Sequence, residues 1–225
     1  MTGPVVAIDG PAGSGKSTLA RRLALVLNLP YVNTGSMYRA VTLAALREGV
    51  DLDDGSGLAA IAARMNFDLD PGSSPPSISI DGSAPPPELR SDEVERHVSQ
   101  VSAHGELRRA LHGAQRRLGA HGAVMEGRDI GSVVFPQAAL KLYLLAPSST
   151  RARRRLIERA GGEGGVAAGP RSVAEALQAR DRRDERVNPP VPPPGAVVID
   201  TNDKDAEAVF REALALARRA LEASR

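Results

Sequence analysis

Gly10-Pro11-Ala12-Gly13-Ser14-Gly15-Lys16-Ser17 fits the phosphate-binding pattern G-x-x-x-x-G-K-[ST] at every constrained position. The chemistry is that of a triphosphate cradle. Glycines let backbone N–H groups converge on phosphate oxygens, and the positive end of a helix dipole adds to the attraction. Lys16 can reach the β- and γ-phosphates, and the Ser17 hydroxyl can ligate Mg²⁺. The competing reading is a glycine-rich turn that happens to hold a lysine. Its flanks argue against that: Val5-Val6-Ala7-Ile8 reads as a short buried strand leading in, and residues 18–27 read as a helix leading out. A ligand built like a nucleoside triphosphate is the expectation.

Three other groups could do chemistry. Thr34-Gly35-Ser36-Met37-Tyr38-Arg39 places a hydroxyl, a glycine and an arginine after a second strand, although Arg39 alone reads equally as a solvated helix residue. Glu126-Gly127-Arg128-Asp129-Ile130-Gly131 puts an acid, an arginine and another acid at a third strand end. Its glycines suit a close approach of backbone to ligand, and the alternative is a salt-bridged turn. Arg180-Asp181-Arg182-Arg183-Asp184-Glu185-Arg186 alternates in charge. Such a run usually laces an exposed helix with i,i+4 pairs; beside the glycine-rich stretch 161–169 it could instead be a lid whose arginines close on phosphates. Arg151, Arg153, Arg154 and Arg155 lie at the other end of that candidate lid.

The elements that must carry these groups alternate. Strands are expected at Tyr31-Val32, at Ala123-Val124-Met125, at 140–145 and at 197–200, with helices at 36–47, 58–65, 91–97, 106–118, 149–159, 172–186 and from about 204. Strands alternating with helices argue for a parallel sheet covered on both faces, with ligand at the carboxyl ends of the strands. Residues 66–88 change character, rich in Pro, Gly and Ser, and read as a small β-insertion around Ile78-Ser79-Ile80.

Composition narrows the function further. A chain of 225 residues suits one domain with an inserted subdomain. The absence of cysteine excludes disulfides and thiolate metal sites, and the run into the first strand leaves no space for a signal peptide, so the cytoplasm is the expected compartment. No stretch is apolar for long enough to span a bilayer, so no membrane partner is expected. Of 29 basic residues, three are lysine and 26 arginine. Arginine is the bidentate phosphate clamp, but an Ala-, Gly-, Pro- and Arg-rich chain also reflects genomic base composition. With three Tyr, three Phe and no Trp, and with the arginines interleaved with acids, a nucleic-acid surface is not expected.

Taken together these segments resemble the bacterial-type cytidylate kinases, P-loop nucleoside monophosphate kinases, over nearly the full length. Glu88-Leu89-Arg90-Ser91, Val98-Ser99-Gln100-Val101, Arg108, Gln115-Arg116 and Val133-Val134-Phe135-Pro136 add to the likeness. The resemblance implies a three-layer α/β sandwich with a five-stranded parallel sheet. It divides the chain into a core (1–60, 105–150 and 190–225), a monophosphate-binding insertion (61–104) and a helical lid (151–187). It implies ATP bound by Gly10, Pro11, Ala12, Gly13, Ser14, Gly15, Lys16, Ser17 and Thr18, flanked by Arg151 and Arg155, with Mg²⁺ at Ser17. Arg39 and Arg128 would grip the acceptor phosphate. Ser99, Arg108 and Asp129 would face cytosine with Thr34 at its edge, and Arg180 and Asp184 would hold the sugar and steady the phosphates. Lys16, Arg128 and Arg180 would be catalytic, CMP or dCMP the acceptor, and the protein a monomer. The sequence departs from the family at one place: the arginine expected three residues after Asp184 is Val187, and Arg186 stands one residue early. Either Arg186 serves there or that base contact is lost. Two other readings are a kinase for another monophosphate or a metabolite alcohol, with Asp9 or Asp129 as base, and a P-loop switch, for which no base-reading N-K-x-D is present.

Overall fold

The computed structural model describes residues 3–160, 170–187 and 189–223. The glycine-rich stretch 161–169 and the side chains of Arg180 and Arg186 lie outside the described residues. Strand β1 (Gly3–Asp9) leads to helix α1 (Lys16–Leu27), followed by β2 (Tyr31–Asn33), α2 (Thr34–Glu48) and α3 (Gly55–Arg64). The insertion supplies β3 (Phe67–Asp70), β4 (Ser77–Ile80) and α4 (Asp92–Val101). Then come α5 (Gly105–Gly119), β5 (His121–Gly127), β6 (Leu140–Leu145), α6 (Ser148–Ala160), α7 (Pro170–Val187), β7 (Val197–Asp200) and α8 (Ala206–Ala223).

Among the described residues the sheet has seven strands in the order β3-β4-β2-β5-β1-β6-β7, and it is mixed. This corrects the expected five-stranded parallel sheet. Strands β2, β5, β1, β6 and β7 are parallel, β4 runs parallel to β2, and β3 returns antiparallel beside β4. The insertion hairpin therefore extends the main sheet rather than standing apart from it. The reason lies at the sheet edge: β2 would otherwise end the sheet with unpaired amides, and the Tyr31 N–H instead donates to Pro76 O at 2.7 Å.

Alternation along the strands explains the layers. Val6, Ile8 and Val124 face one core with Leu19 and Leu23 of α1 and Phe210 and Ala213 of α8. Ala7, Ala123 and Met125 face the other, built with Met37, Leu58, Val98 and Leu111 from α2, α3, α4 and α5. Residues Val5 to Asp9 of β1 are all buried, as a central parallel strand requires. Local caps set two helix starts that matter for the site. Asn33 accepts from Ser36 N and begins α2 at Thr34, two residues before the expected start; Ser91 accepts from Val94 N and begins α4, which runs on to Val101 and so carries Ser99.

Candidate active site

One end of the site is a turn of backbone between β1 and α1, the phosphate-loop end. Gly10 (φ 144°) and Gly15 (φ 94°) take conformations that side chains disfavour, and a Cβ on Gly10 would lie 2.4 Å from Leu144 O. Lys16 is buried at the first position of α1, and its Nζ donates to Pro11 O at 2.7 Å across the loop. Ser14 Oγ is buried with no protein partner in the loop. Ser17 Oγ donates to Glu126 Oε2 at 2.9 Å, and the Tyr31 hydroxyl donates to the other oxygen of the same buried carboxylate. Burial and the Glu126 charge push the Tyr31 phenol far above its ordinary range, so it remains a donor.

These oxygens suit Mg²⁺. A hydroxyl and a carboxylate at the mouth of a phosphate loop are hard donors, and a cation there would complete its shell with phosphate oxygens and water. No cluster of three or more His, Cys, Asp or Glu that could hold a metal by itself occurs among the described residues. Asp9 is placed elsewhere: its two oxygens accept from Ile130 N (2.9 Å) and Gly131 N (2.8 Å). Burial, only partly offset by those amides, pushes its pKa up to about 6.

The other end is assembled from separate elements. Thr34 Oγ1 donates to Glu126 O at 2.8 Å, which locks the start of α2 onto the end of β5. Just beyond β5, Arg128 donates from Nη1 to Gly10 O (2.7 Å) and from Nε and Nη2 to Asp184 of α7 (3.1 and 3.0 Å). Next to it, Asp129 pairs with Arg108 of α5, whose Nη1 reaches Ser102 O at 3.3 Å. Burial alone would raise the Asp129 pKa. The His112 ring, with Nε2 3.4 Å away, and the Arg108 guanidinium outweigh it and hold the carboxyl below its usual range. Tyr38, one wall of this end, is pushed up to about 12 by burial. Ser99 Oγ is buried without a protein partner. Buried polar atoms left so are costly unless a ligand or water completes them.

Both ends open into one cavity of about 660 Å³. Its walls include Ala12, Gly13, Ser14, Gly15, Lys16, Ser17, Thr18, Thr34, Arg39, Arg108, Arg128, Asp129, Arg155 and Asp184. Gly10 and Pro11 form the back of the loop rather than the wall. Ser99 is buried behind Val98 and Ser102, which do line the cavity. Arg151 is not on the wall either: it donates to Ala146 O, to Ala12 O and in bidentate fashion to Asp181, tying the loop to α6 and α7. Arg180 lies on α7, with its side chain outside the described residues. Two features of the site escaped the sequence reading, one on the cavity wall and one behind it. Thr201, just past β7, accepts from Arg154 Nη1 at 2.9 Å, and Lys204 and Asp205 follow it. The position of Thr201 at the carboxyl end of a parallel strand was signal enough to find it. Glu95, which binds Arg39 and Arg155, stands among three acids in the first turn of α4 and carries no signal of its own.

A family model described as cytidylate kinase matches residues 6–219. The chain is 42% identical over 231 residues to the cytidylate kinase of Mycobacterium avium (strain 104), covering 98% of each protein. It is 40% identical to that of Exiguobacterium sibiricum over 96% of this chain and 97% of the relative. It is also 43% identical to a bifunctional pantoate ligase/cytidylate kinase of Synechococcus sp. (strain JA-3-3Ab), of which it spans 42% of the length against 98% of its own. With nearly the whole sequence matched by the family model and by relatives at this identity, the chain belongs to the cytidylate kinase family.

Proposed function

We propose that the protein transfers the γ-phosphate of ATP to CMP or dCMP, giving ADP and CDP or dCDP, a step of pyrimidine nucleotide metabolism. One observation carries this reading: a single cavity joins the phosphate loop to the Arg108–Asp129 pair, a donor and an acceptor side by side. Cytosine presents an amino donor at N4 beside acceptors at N3 and O2, so a carboxylate and a guanidinium match it. Uracil would set O4 against the carboxylate and N3–H against the arginine. Such a mismatch at buried polar groups costs up to ~10⁴-fold in specificity.

The acceptor is a phosphate oxygen already ionised at neutral pH, so no general base is needed. Transfer then rests on positioning and charge stabilisation. Lys16 and the loop amides hold the triphosphate. Arg39 and Arg128 hold the acceptor phosphate, with Arg128 beside the loop through its bond to Gly10 O. Asp184 orients Arg128 and, with Arg180, receives the sugar. Mg²⁺ at Ser17 would supply charge neutralisation on the β- and γ-phosphates. Arg151 supports the loop from behind, and Arg155 is a cation on the cavity wall for the donor phosphates. In this reading residues 1–60, 105–150 and 190–225 are the core, 61–104 the acceptor-binding insertion, and 151–187 a lid that excludes water. No helix among the described residues is long and apolar enough to cross a membrane.

Transfer to a metabolite alcohol has less support. It needs a free carboxylate as base, yet both oxygens of Asp9 accept backbone amides and Asp129 is paired with Arg108. The test is ADP production from ATP–Mg²⁺ with CMP, dCMP, UMP, AMP and GMP offered separately. Fast turnover with CMP and dCMP and little with UMP is expected. Comparable UMP turnover would retain the kinase but remove the base-reading role of Arg108 and Asp129, with Val187 in place of the family's arginine as the structural difference to examine. No turnover with any monophosphate would overturn the reading.

A further inference from the structure

Glu95 joins three separate parts of the chain at one carboxylate. It stands on the first turn of α4, in the insertion, where the helix dipole favours an anion. Its Oε1 accepts from Arg39 Nε of α2 at 2.7 Å, and its Oε2 accepts from Arg155 Nη2 of α6 at 2.5 Å. The three side chains are only 10%, 16% and 20% exposed for Glu95, Arg39 and Arg155, so these bonds are far less screened than a surface ion pair. Both arginines line the cavity and Glu95 does not. The carboxylate therefore holds two cations from behind and leaves the cavity side of the group positive. Were it a competitor for phosphate it would stand inside the cavity, between the arginines and the ligand.

We propose that Glu95 is a positioning residue that couples the acceptor-phosphate site to the lid. By fixing the Nε edge of Arg39 it aims that guanidinium at the acceptor phosphate, and by holding Arg155 it keeps α6 against the insertion. Arg39 rides on the core and Arg155 on α6, and the one carboxylate links the two. The inference rests on the phosphoryl-transfer reading for its kinetic consequence, while the tie between α4 and α6 stands on geometry alone.

The experiment uses the full chain with Glu95→Gln, nearly isosteric but uncharged. One oxygen becomes an amide donor, so one arm is lost. KM for CMP is expected to rise about tenfold, the loss of one charge-assisted hydrogen bond, with kcat changed less. Binding of cytidine, which lacks the phosphate, should stay within about twofold by the same argument, because the base end is untouched. A second readout does not depend on turnover. The chain has no cysteine, so spin labels at Glu93→Cys and Ser149→Cys, both exposed and off the cavity wall, report the α4–α6 distance. That distance distribution is expected to broaden and lengthen in the Glu95→Gln background. CMP and cytidine weakened in parallel, neither weakened, or an unchanged distance distribution would each overturn the proposal. Inactivity of the unmodified protein towards every monophosphate would be the failure of the functional reading instead, and the label distance would still decide the α4–α6 tie.

Discussion

The donor end of the cavity is built from one short stretch of chain, the acceptor end from pieces of α2, α4, α5, α7 and the segment after β5. At the donor end the working groups are backbone amides and one lysine, all between Gly10 and Thr18, and their geometry follows from glycine conformations and the start of α1. At the acceptor end they are side chains paired across long sequence separations: Arg108 with Asp129, Arg128 with Asp184, Arg39 with Glu95. In the proposed reading the contrast is between a contiguous phosphate loop and a pocket of paired side chains. A contiguous loop needs little help from the rest of the fold. A cluster of guanidiniums must be kept apart and aimed by carboxylates, because like charges brought together in a half-buried site repel. Arg39, Arg108 and Arg128 accordingly each meet an acid, Glu95, Asp129 and Asp184.

The comparison predicts that the two ends fail differently. Removing the one cationic side chain of the loop should cause the largest loss: Lys16→Ala is expected to lower kcat by ~10³-fold, since it deletes a preorganised charge aimed at the transferring group. The measurement is turnover with saturating CMP, with CMP binding, which should hardly change, as the control. At the other end, Asp129→Asn keeps the shape but leaves Arg108 without its counter-charge. We expect kcat/KM for CMP to fall ~10²-fold while the ratio of UMP to CMP turnover rises, because the site no longer penalises a carbonyl at that position. If both nucleotides lose equally, Asp129 orders the fold and does not read the base.

Asp9 is the joint between the two ends, leaving β1 towards the loop while gripping the turn after Asp129. Its native pKa of about 6 lies above the ordinary 3.8, so the folded state binds the proton more tightly than the unfolded one. The contribution of Asp9 to stability is therefore greatest below the lower value and is lost as pH rises through the upper one. Denaturation of the unmodified protein and of Asp9→Asn at pH 4 and pH 7 should show their stability difference shift by about 1–3 kcal/mol, in favour of the unmodified protein at the lower pH. An unchanged difference would mean that Asp9 titrates normally.

The smallest effect is the most selective. A Cβ on Gly35 would lie 2.8 Å from Arg39 Nη1 and 3.1 Å from Asn33 Oδ1. The nearer atom is the tip of a flexible side chain, so Gly35→Ala should displace the guanidinium and leave the helix intact. A rise of about tenfold in KM for CMP is expected, from one misaimed charged contact, with little change in melting temperature. A large fall in melting temperature without a change in KM would place Gly35 in the packing of α2 and not in the site.

Much of this was legible in one dimension, and the parts that were not share a cause. The phosphate loop, the strand before it and the helix after it were readable because each needs only its own residues: glycines where φ is positive, apolar alternation, a helix start. Arg128 and Asp129 could be placed because a strand end in a parallel sheet points its loop at the ligand crevice. The β-insertion was visible around Ile78-Ser79-Ile80, but its second strand β3 and its joining to β2 were not, since the joining is set by an open sheet edge formed by distant residues. The family resemblance put Arg151 beside the donor; its turn towards Ala12 O and Asp181 depends on how α6 packs beneath the loop.

What the amino-acid sequence determined by itself is the donor chemistry and the alternating α/β plan, both consequences of short-range conformational rules. What only the tertiary structure decided is which acid faces which arginine. The sheet brings α2, α4, α5 and α7 around one cavity, and Glu95, Asp129 and Asp184 acquire their partners there. No periodicity encodes such pairs, because charge–charge energy depends on distance and burial in space, and both are products of the packed fold.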